Sequence, residues 1–415
     1  MKIQNISFKN KGIIYAVLCS FLFIVVMQFV DLPFIFGNWE NKAKSILNFD
    51  LTDNYYPPGA AIALIPFLWN KPNFVLGIVF YYFIAAYVYF KICAKIRDRK
   101  LKFFALLALP SNAYLSWLCI TSADQVIELV TLLLFIYNTI KSRYKYSILF
   151  GFLLCFTRPA YWVCFILIIY FLGKELSFDS KKFKKVLMKY AAIIVLLFTL
   201  VFNQIVFHSP NLSTSSQETF FFGNQKYHYL TLPKFDMDVF LKNGPSTNPE
   251  TVVQNSNKFS LIKNDYVRAI LITISDNPQR YIFAQIQKID SYFFAIQKVP
   301  NLPGAYELSP DEKSIQIKNE RLTWSLTIGH LIFAFYRAAW MLLFAFSISQ
   351  ILIQKISGRR QDKTYKYFLI PYLIGIIPCL IFYTETRFKI CSELIVVPLG
   401  FLILEKVLNN VKNKL

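Results

Sequence analysis

Long apolar runs constrain this chain before anything else does. Residues 13–30 (IIYAVLCSFLFIVVMQFV), 187–207, 326–354 and 393–405 are apolar runs with few charges. A helix satisfies its own backbone, so runs near 18 residues read as membrane spans. The first run follows Lys9 and Lys11 but meets Asp31 and Pro33, with no small-x-small cleavage site. It therefore reads as a retained anchor and not as a signal peptide. Ten spans are predicted, at 13–30, 73–92, 103–120, 125–140, 146–157, 160–173, 187–207, 326–354, 367–383 and 393–410. The expected fold class is an all-α integral membrane protein of about ten transmembrane or half-membrane helices. Residues 1–207 form an N-terminal membrane region whose first outer loop is 31–72. Residues 208–325 form an extracytoplasmic loop domain, and 326–415 the C-terminal membrane helices.

The chain is basic, at a formal charge of +21. In a soluble protein such an excess suggests nucleic acid; here retention of Lys and Arg on cytoplasmic loops accounts for it. With the N-terminus inside, the cytoplasmic segments carry 26 Lys and Arg and the short outer segments six. Both termini are therefore expected in the cytoplasm. The long loop 208–325 is exempt from the rule. The seven cysteines lie mostly in apolar runs without CxxC spacing, which argues against a disulfide scaffold and a metal site. His208, His228 and His330 are scattered, and Asn211-Leu212-Ser213 matters only in a eukaryotic secretory pathway. No cofactor is indicated; a divalent metal is possible without any motif requiring one. The Lys, Ile, Asn and Phe richness suggests a bacterial genome, hence the bacterial inner membrane as the expected site.

Residues 146–157 and 160–173 are each too short to span. One continuous helix would place the KKFKK cluster at 181–185 and Arg359-Arg360 outside, against the charge asymmetry. The expectation is a hairpin of two short helices with Arg158 at its outer tip, surrounded by protein.

Polar residues gather on the outer face: Asp31, Glu40, Asp50 and Asp53, then Tyr55-Tyr56-Pro57-Pro58-Gly59, Asp124, Arg158, Glu385, Arg387 and Lys389. Two consecutive prolines make a stiff turn ending in a permissive glycine. Residues 60–69 are apolar but too short to span, so they lie at the interface or re-enter. Arg337 stands inside an apolar run, where a charge costs about 2.5–3.5 kcal/mol, so it should face protein. In the outer loop, 262–298 has helical spacing suited to the membrane surface.

The order of these features resembles the GT-C superfamily of polytopic glycosyltransferases. The matching residues are Asp31, Asn38-Trp39-Glu40, Asn54-Tyr55-Tyr56-Pro57-Pro58-Gly59, Ser122-Ala123-Asp124, the stretch from Gly151 to Pro159, and Glu385-Thr386-Arg387-Phe388. The likeness covers 1–175 well and 367–400 loosely, and does not reach 208–325. One departure is that Leu-Pro-Phe, and no second acid, follows Asp31. The resemblance implies an inverting transferase that takes a sugar from a polyprenyl phosphate to a hydroxyl of a glycan, lipid or protein acceptor in cell-envelope glycan biosynthesis. The attacking hydroxyl needs a base, for which Asp31 is the first candidate, with Glu40 and Asp53 behind it. The leaving lipid phosphate calls for fixed cations: Arg387 and Arg158, supported by Lys389 and Arg337. Tyr55, Tyr56, Asp124 and Glu385 are candidate substrate-binding residues. The expected partners are the polyprenyl-linked sugar, its acceptor and membrane lipids, with no nucleic acid.

Two other classes stay open. An O-antigen-type polymerase or ligase would use a large external loop with arginines, such as Arg268 and Arg280. A lipid or sugar flippase would show internal repeats and charges in mid-span; no repeat is visible.

Overall fold

The computed structural model describes residues 8–27, 36–48, 58–68, 71–112, 115–116, 118–119, 123–175, 182–207, 224, 249–276, 278–293, 306–308, 315–317, 320–357, 362, 364–381 and 389–412. In chain order the helices are α1 (Phe8–Met27), α2 (Phe36–Leu47), α3 (Pro58–Leu64), α4 (Lys71–Cys93), α5 (Arg99–Ser111), α6 (Ala123–Ile140), α7 (Tyr144–Thr157), α8 (Trp162–Glu175) and α9 (Lys182–Phe207). Then come α10 (Pro249–Gln254), α11 (Asp265–Asp276) and α12 (Pro278–Phe293). The antiparallel pair β1 (Tyr306–Leu308) and β2 (Ile315–Ile317) follows, an addition to the all-α expectation. The chain ends in α13 (Glu320–Ile356), α14 (Tyr365–Ile374), α15 (Ile376–Ile381) and α16 (Ile390–Lys412).

Local chemistry sets the breaks. α7 stops because Pro159 pushes Arg158 out of the helical region, to φ −138° and ψ 97°. Pro159 then opens a 3₁₀ turn through Tyr161, where its missing N–H costs nothing. Gly151 faces Phe165, whose ring a Cβ would meet at 2.3 Å. Cys155 lies near Cys164. Both pairs straddle the break, so α7 and α8 fold back on one another as the expected hairpin. Pro378 removes the hydrogen bond to Ile374 and its ring crowds that carbonyl, which separates α14 from α15 at Gly375. Residues 262–298, expected to be helical, hold α11 and α12; a small core of Val253, Ala269, Ile270 and Ile272 fixes α11 on α10.

The main core joins α4, α6, α8 and α16. Every side chain from Asp124 to Leu133 in α6 is buried, so this helix is wrapped on all sides. The outer helices do the reverse. Phe21 of α1, Phe198 of α9, and Phe335 and Leu342 of α13 are each more than 60% exposed. Val75–Cys93 and Ala338–Ile356 are long and apolar enough to cross a membrane; shorter apolar helices lie at Asn10–Val25, Pro58–Phe67, Tyr144–Thr157, Lys189–Ile205 and Tyr365–Ile381.

The two ends of the bundle differ. At one end, Glu405 accepts the backbone N–H groups of Arg97 and Asp98, and the Asp98 side chain caps α5 through Leu101 at 2.9 Å. There too Glu175 holds Lys366 and the Tyr367 hydroxyl. The other end gathers Asp124, Arg158, Tyr161 and Cys391.

Candidate functional site

Asp124, Gln125 and Glu128 share one face at the start of α6, because residues three and four apart align on a helix. Arg158 approaches that face from the tip of the α7–α8 hairpin. Its Nε donates to Glu128 Oε2 at 2.9 Å, and its Nη2 lies 2.6 Å from Asp124 Oδ2. The same nitrogen is 3.4 Å from Gln125 Oε1. Tyr161 donates to Glu128 Oε1 at 2.7 Å. Gln125 Nε2 donates to Glu128 Oε2 at 2.9 Å and to Cys391 Sγ at 3.1 Å. Two carboxylates thus face one guanidinium. The Glu128 side chain is 1% exposed and that of Arg158 17%, so the network is closed below and open at the arginine.

Pro58 and Gly59, which open α3, reach the same place. A Cβ on Gly59 would stand 2.7 Å from the carbonyl carbon of Phe156 and from the nitrogen of Thr157. Only a glycine lets the first turn of α3 rest on the last turn of α7, directly beside Arg158. Pro58 occupies the first helical position, which its fixed φ suits.

Beside this cluster, α12 is tied to the C-terminal helices. Lys389 is fully buried; its amine donates to the Tyr292 carbonyl and lies 3.9 Å from Glu393. It lies over the Tyr292 ring, 5.3 Å from the centroid. Lys389, a candidate support for the phosphate site, is thus a tie between α16 and α12. Lys288 donates to the carbonyl of Leu380 at 3.0 Å, and Asn224 to that of Ile381 at 2.6 Å, so both serve the open end of α15. A cavity of about 20 Å³ between α13, α14 and α16, lined by Trp340, Phe344, Tyr372, Glu393 and Val396, has room for one water and no sugar.

Of the residues singled out in the sequence, Asp124 and Arg158 are brought together. Glu40 lies within α2 and Arg337 within α13, each described in its backbone. Asp31, Asp53, Tyr55, Tyr56, Glu385 and Arg387 lie outside the described residues. Glu128, Gln125, Tyr161 and Cys391 were missed. Glu128 carried a signal: it is an acid inside the apolar run VIELVTLLLFI, four residues after Asp124. Among the described residues no three His, Cys, Asp or Glu gather as a metal site. Comparison of the chain with protein-family models, with curated proteins and with solved structures gives no match.

Proposed function

We propose that this chain is a multi-spanning membrane glycosyltransferase that moves a sugar from a polyprenyl phosphate to an extracytoplasmic acceptor hydroxyl. The observation that carries the reading is the contact of the Pro58-Gly59 turn with the arginine-bearing tip of the α7–α8 hairpin. That contact rests the first turn of α3 on the last turn of α7, beside a guanidinium held by the carboxylates of α6. A membrane setting is supported by polarity: α6 buries Asp124, Gln125, Glu128, Thr131 and Asn138, whereas α1, α9 and α13 expose large apolar side chains. Water favours the opposite arrangement and lipid favours this one.

In this reading Asp31 removes the acceptor proton, with Glu40 and Asp53 as alternatives. Arg387 neutralises the charge on the leaving phosphate, with Arg337 in reach of the donor. Arg158, fixed by Glu128 and Asp124, supplies a second cation at the site's edge. Tyr55 and Tyr56 hold the sugar, and Glu385 contacts the substrate. Asp124 acts through Arg158.

The test is release of polyprenyl phosphate by purified protein in lipid nanodiscs, from a panel of polyprenyl-phosphate sugars with envelope extract as acceptor. Asp31→Asn should abolish turnover while donor binding persists, and Arg387→Ala should weaken both. Undiminished turnover in Asp31→Asn moves the base to Glu40 or Asp53. A wild-type protein inert to every donor defeats the transferase reading.

One observation favours a second reading, transport. Glu128 is an ionisable group inside an apolar helix, the kind of residue that lines translocation paths. Flux of a lipid-linked sugar across vesicles without its cleavage would select that reading.

A further inference from the structure

Helix α12 is built inside out. Seven of its described side chains form two stripes about 100° apart around the helix, as 3.6 residues per turn requires. The first stripe is Tyr281, Gln285, Lys288 and Tyr292, and it faces protein. Gln285 Nε2 donates to Asn224 Oδ1 at 3.3 Å, Lys288 to the Leu380 carbonyl at 3.0 Å, and the Tyr292 hydroxyl to the Tyr372 carbonyl at 2.5 Å. The second stripe is Ile282, Ile286 and Ile289, at 60%, 56% and 39% exposure. A helix lying on protein in water turns its isoleucines inward and its lysine outward. This one does the reverse.

Depth supplies the independent argument. Tyr292 bonds the carbonyl of Tyr372, nine residues before the end of α15 at Ile381, or roughly 13 Å along the helix axis. It also shares a pocket with Val396, six residues into α16. The last turns of α12 therefore lie alongside α14, α15 and α16 and not above their ends.

We propose that α12 is a wedge in the outer leaflet, its Ile282–Ile286–Ile289 stripe facing lipid acyl chains. This replaces the expected resting place on the membrane surface, and it depends on the membrane reading of the previous subsection. The occupant is lipid because the stripe is apolar, carries no described charge, and belongs to a helix whose Tyr292 packs with Phe344 of α13, a helix that itself exposes Phe335 and Leu342. The physical logic is that Gln285, Lys288 and Tyr292, satisfied against protein, are not stranded when the helix enters hydrocarbon.

The test places a nitroxide at Ile282→Cys, Ile286→Cys or Ile289→Cys in nanodiscs and compares collision rates with oxygen and with a water-soluble nickel chelate. The seven native cysteines are buried, and the unsubstituted chain labelled in parallel gives the background. The expected result is severalfold preference for oxygen at all three positions, increasing from 282 to 289, with nickel preferred at Lys258→Cys in the exposed turn before α11. Nickel access at all three makes the face aqueous and overturns the proposal. Low collision with both reagents means that protein covers the stripe, a second copy or another part of this chain, and also overturns it. Phe21→Cys on α1 separates the failures. If Phe21 prefers oxygen while α12 prefers nickel, the membrane reading stands and the wedge alone falls; if Phe21 prefers nickel, both fall.

Discussion

Around Arg158 and around α12 the molecule buries charge on opposite plans. Around Arg158 a guanidinium is matched by carboxylates: Asp124 at 2.6 Å and Glu128 at 2.9 Å, with Tyr161 and Gln125 donating to the oxygens of Glu128. Around α12 two ammonium groups meet backbone carbonyls, Lys288 at Leu380 and Lys389 at Tyr292. The difference follows from side-chain chemistry. A planar guanidinium takes a fixed orientation from two acceptors, whereas an ammonium is a compact charge on a flexible stem. A helix broken by proline and ending at Ile381 offers open carbonyls, which are partial negative charges without a proton to exchange. The first cluster fixes geometry and suits a site. The second suits docking, since its hydrogen-bond acceptors are dipoles that persist when the amine leaves, with the Glu393 carboxylate farther off at 3.9 Å from Lys389.

The sharpest way to break this comparison is to remove each cation. Arg158→Met leaves Asp124 and Glu128 facing each other in a closed space, and loss of one partner of a buried pair costs about 3–5 kcal/mol. Lys288→Met leaves neutral carbonyls, and its cost should be much smaller, on the order of 1 kcal/mol. Thermal unfolding in nanodiscs should rank them in that order, with Arg158→Lys failing to rescue because an ammonium cannot bridge both carboxylates. Equal losses would mean that the two clusters play one role.

A second substitution sharpens the first region. Gly59→Ala drives a Cβ against the Phe156 carbonyl carbon and the Thr157 nitrogen, both at 2.7 Å. These are backbone atoms and cannot rotate aside. Overpacking of this kind costs about 1–3 kcal/mol, and the displaced α7 terminus carries Arg158 with it. Gly151→Ala meets the Phe165 ring at 2.3 Å, a side chain farther from the hairpin tip. Donor turnover should therefore fall further in Gly59→Ala than in Gly151→Ala at comparable loss of stability. The reverse order would detach the Pro-Pro-Gly turn from function.

Most of the helical layout was legible because hydropathy and the charge asymmetry act segment by segment. The Arg158-Pro159 break was readable because the charge asymmetry rejects one continuous helix there, and the α7–α8 hairpin followed. The site was half legible. Asp124 and Arg158 stood at predicted helix edges, where polar residues catch the eye. Glu128 stood one turn inside an apolar run, and its partner came from 30 residues away; no local pattern encodes that meeting. The surroundings of Lys389 were hidden for the same reason. Its neighbours Glu385 and Arg387 suggested an exposed charged loop, while its actual surroundings, Tyr292 and Glu393, include a helix nearly a hundred residues earlier in the chain.

The smallest predicted effect concerns the second cluster and pH. Burial pushes Lys288 down from 10.5 to about 7, partly offset by Cys379 nearby. Burial disfavours the charged amine, so between pH 7 and 10.5 an undocked α12 binds a proton that the docked helix does not. Docking therefore strengthens as pH rises through that window and levels off below about 7, where the docked amine is protonated too. Hydrogen exchange of α12, with rates normalised to the intrinsic rate at each pH, should show protection growing from pH 7 to 9. Lys288→Met should hold protection constant over the same range, because methionine has nothing to titrate. The Arg158 cluster provides the contrast. Guanidinium stays charged throughout, so exchange in the first turn of α6 should not follow the α12 profile. A profile shared by both regions, or one unchanged in Lys288→Met, would place the titrating group elsewhere and remove the distinction between a carboxylate-fixed site and a carbonyl-held latch.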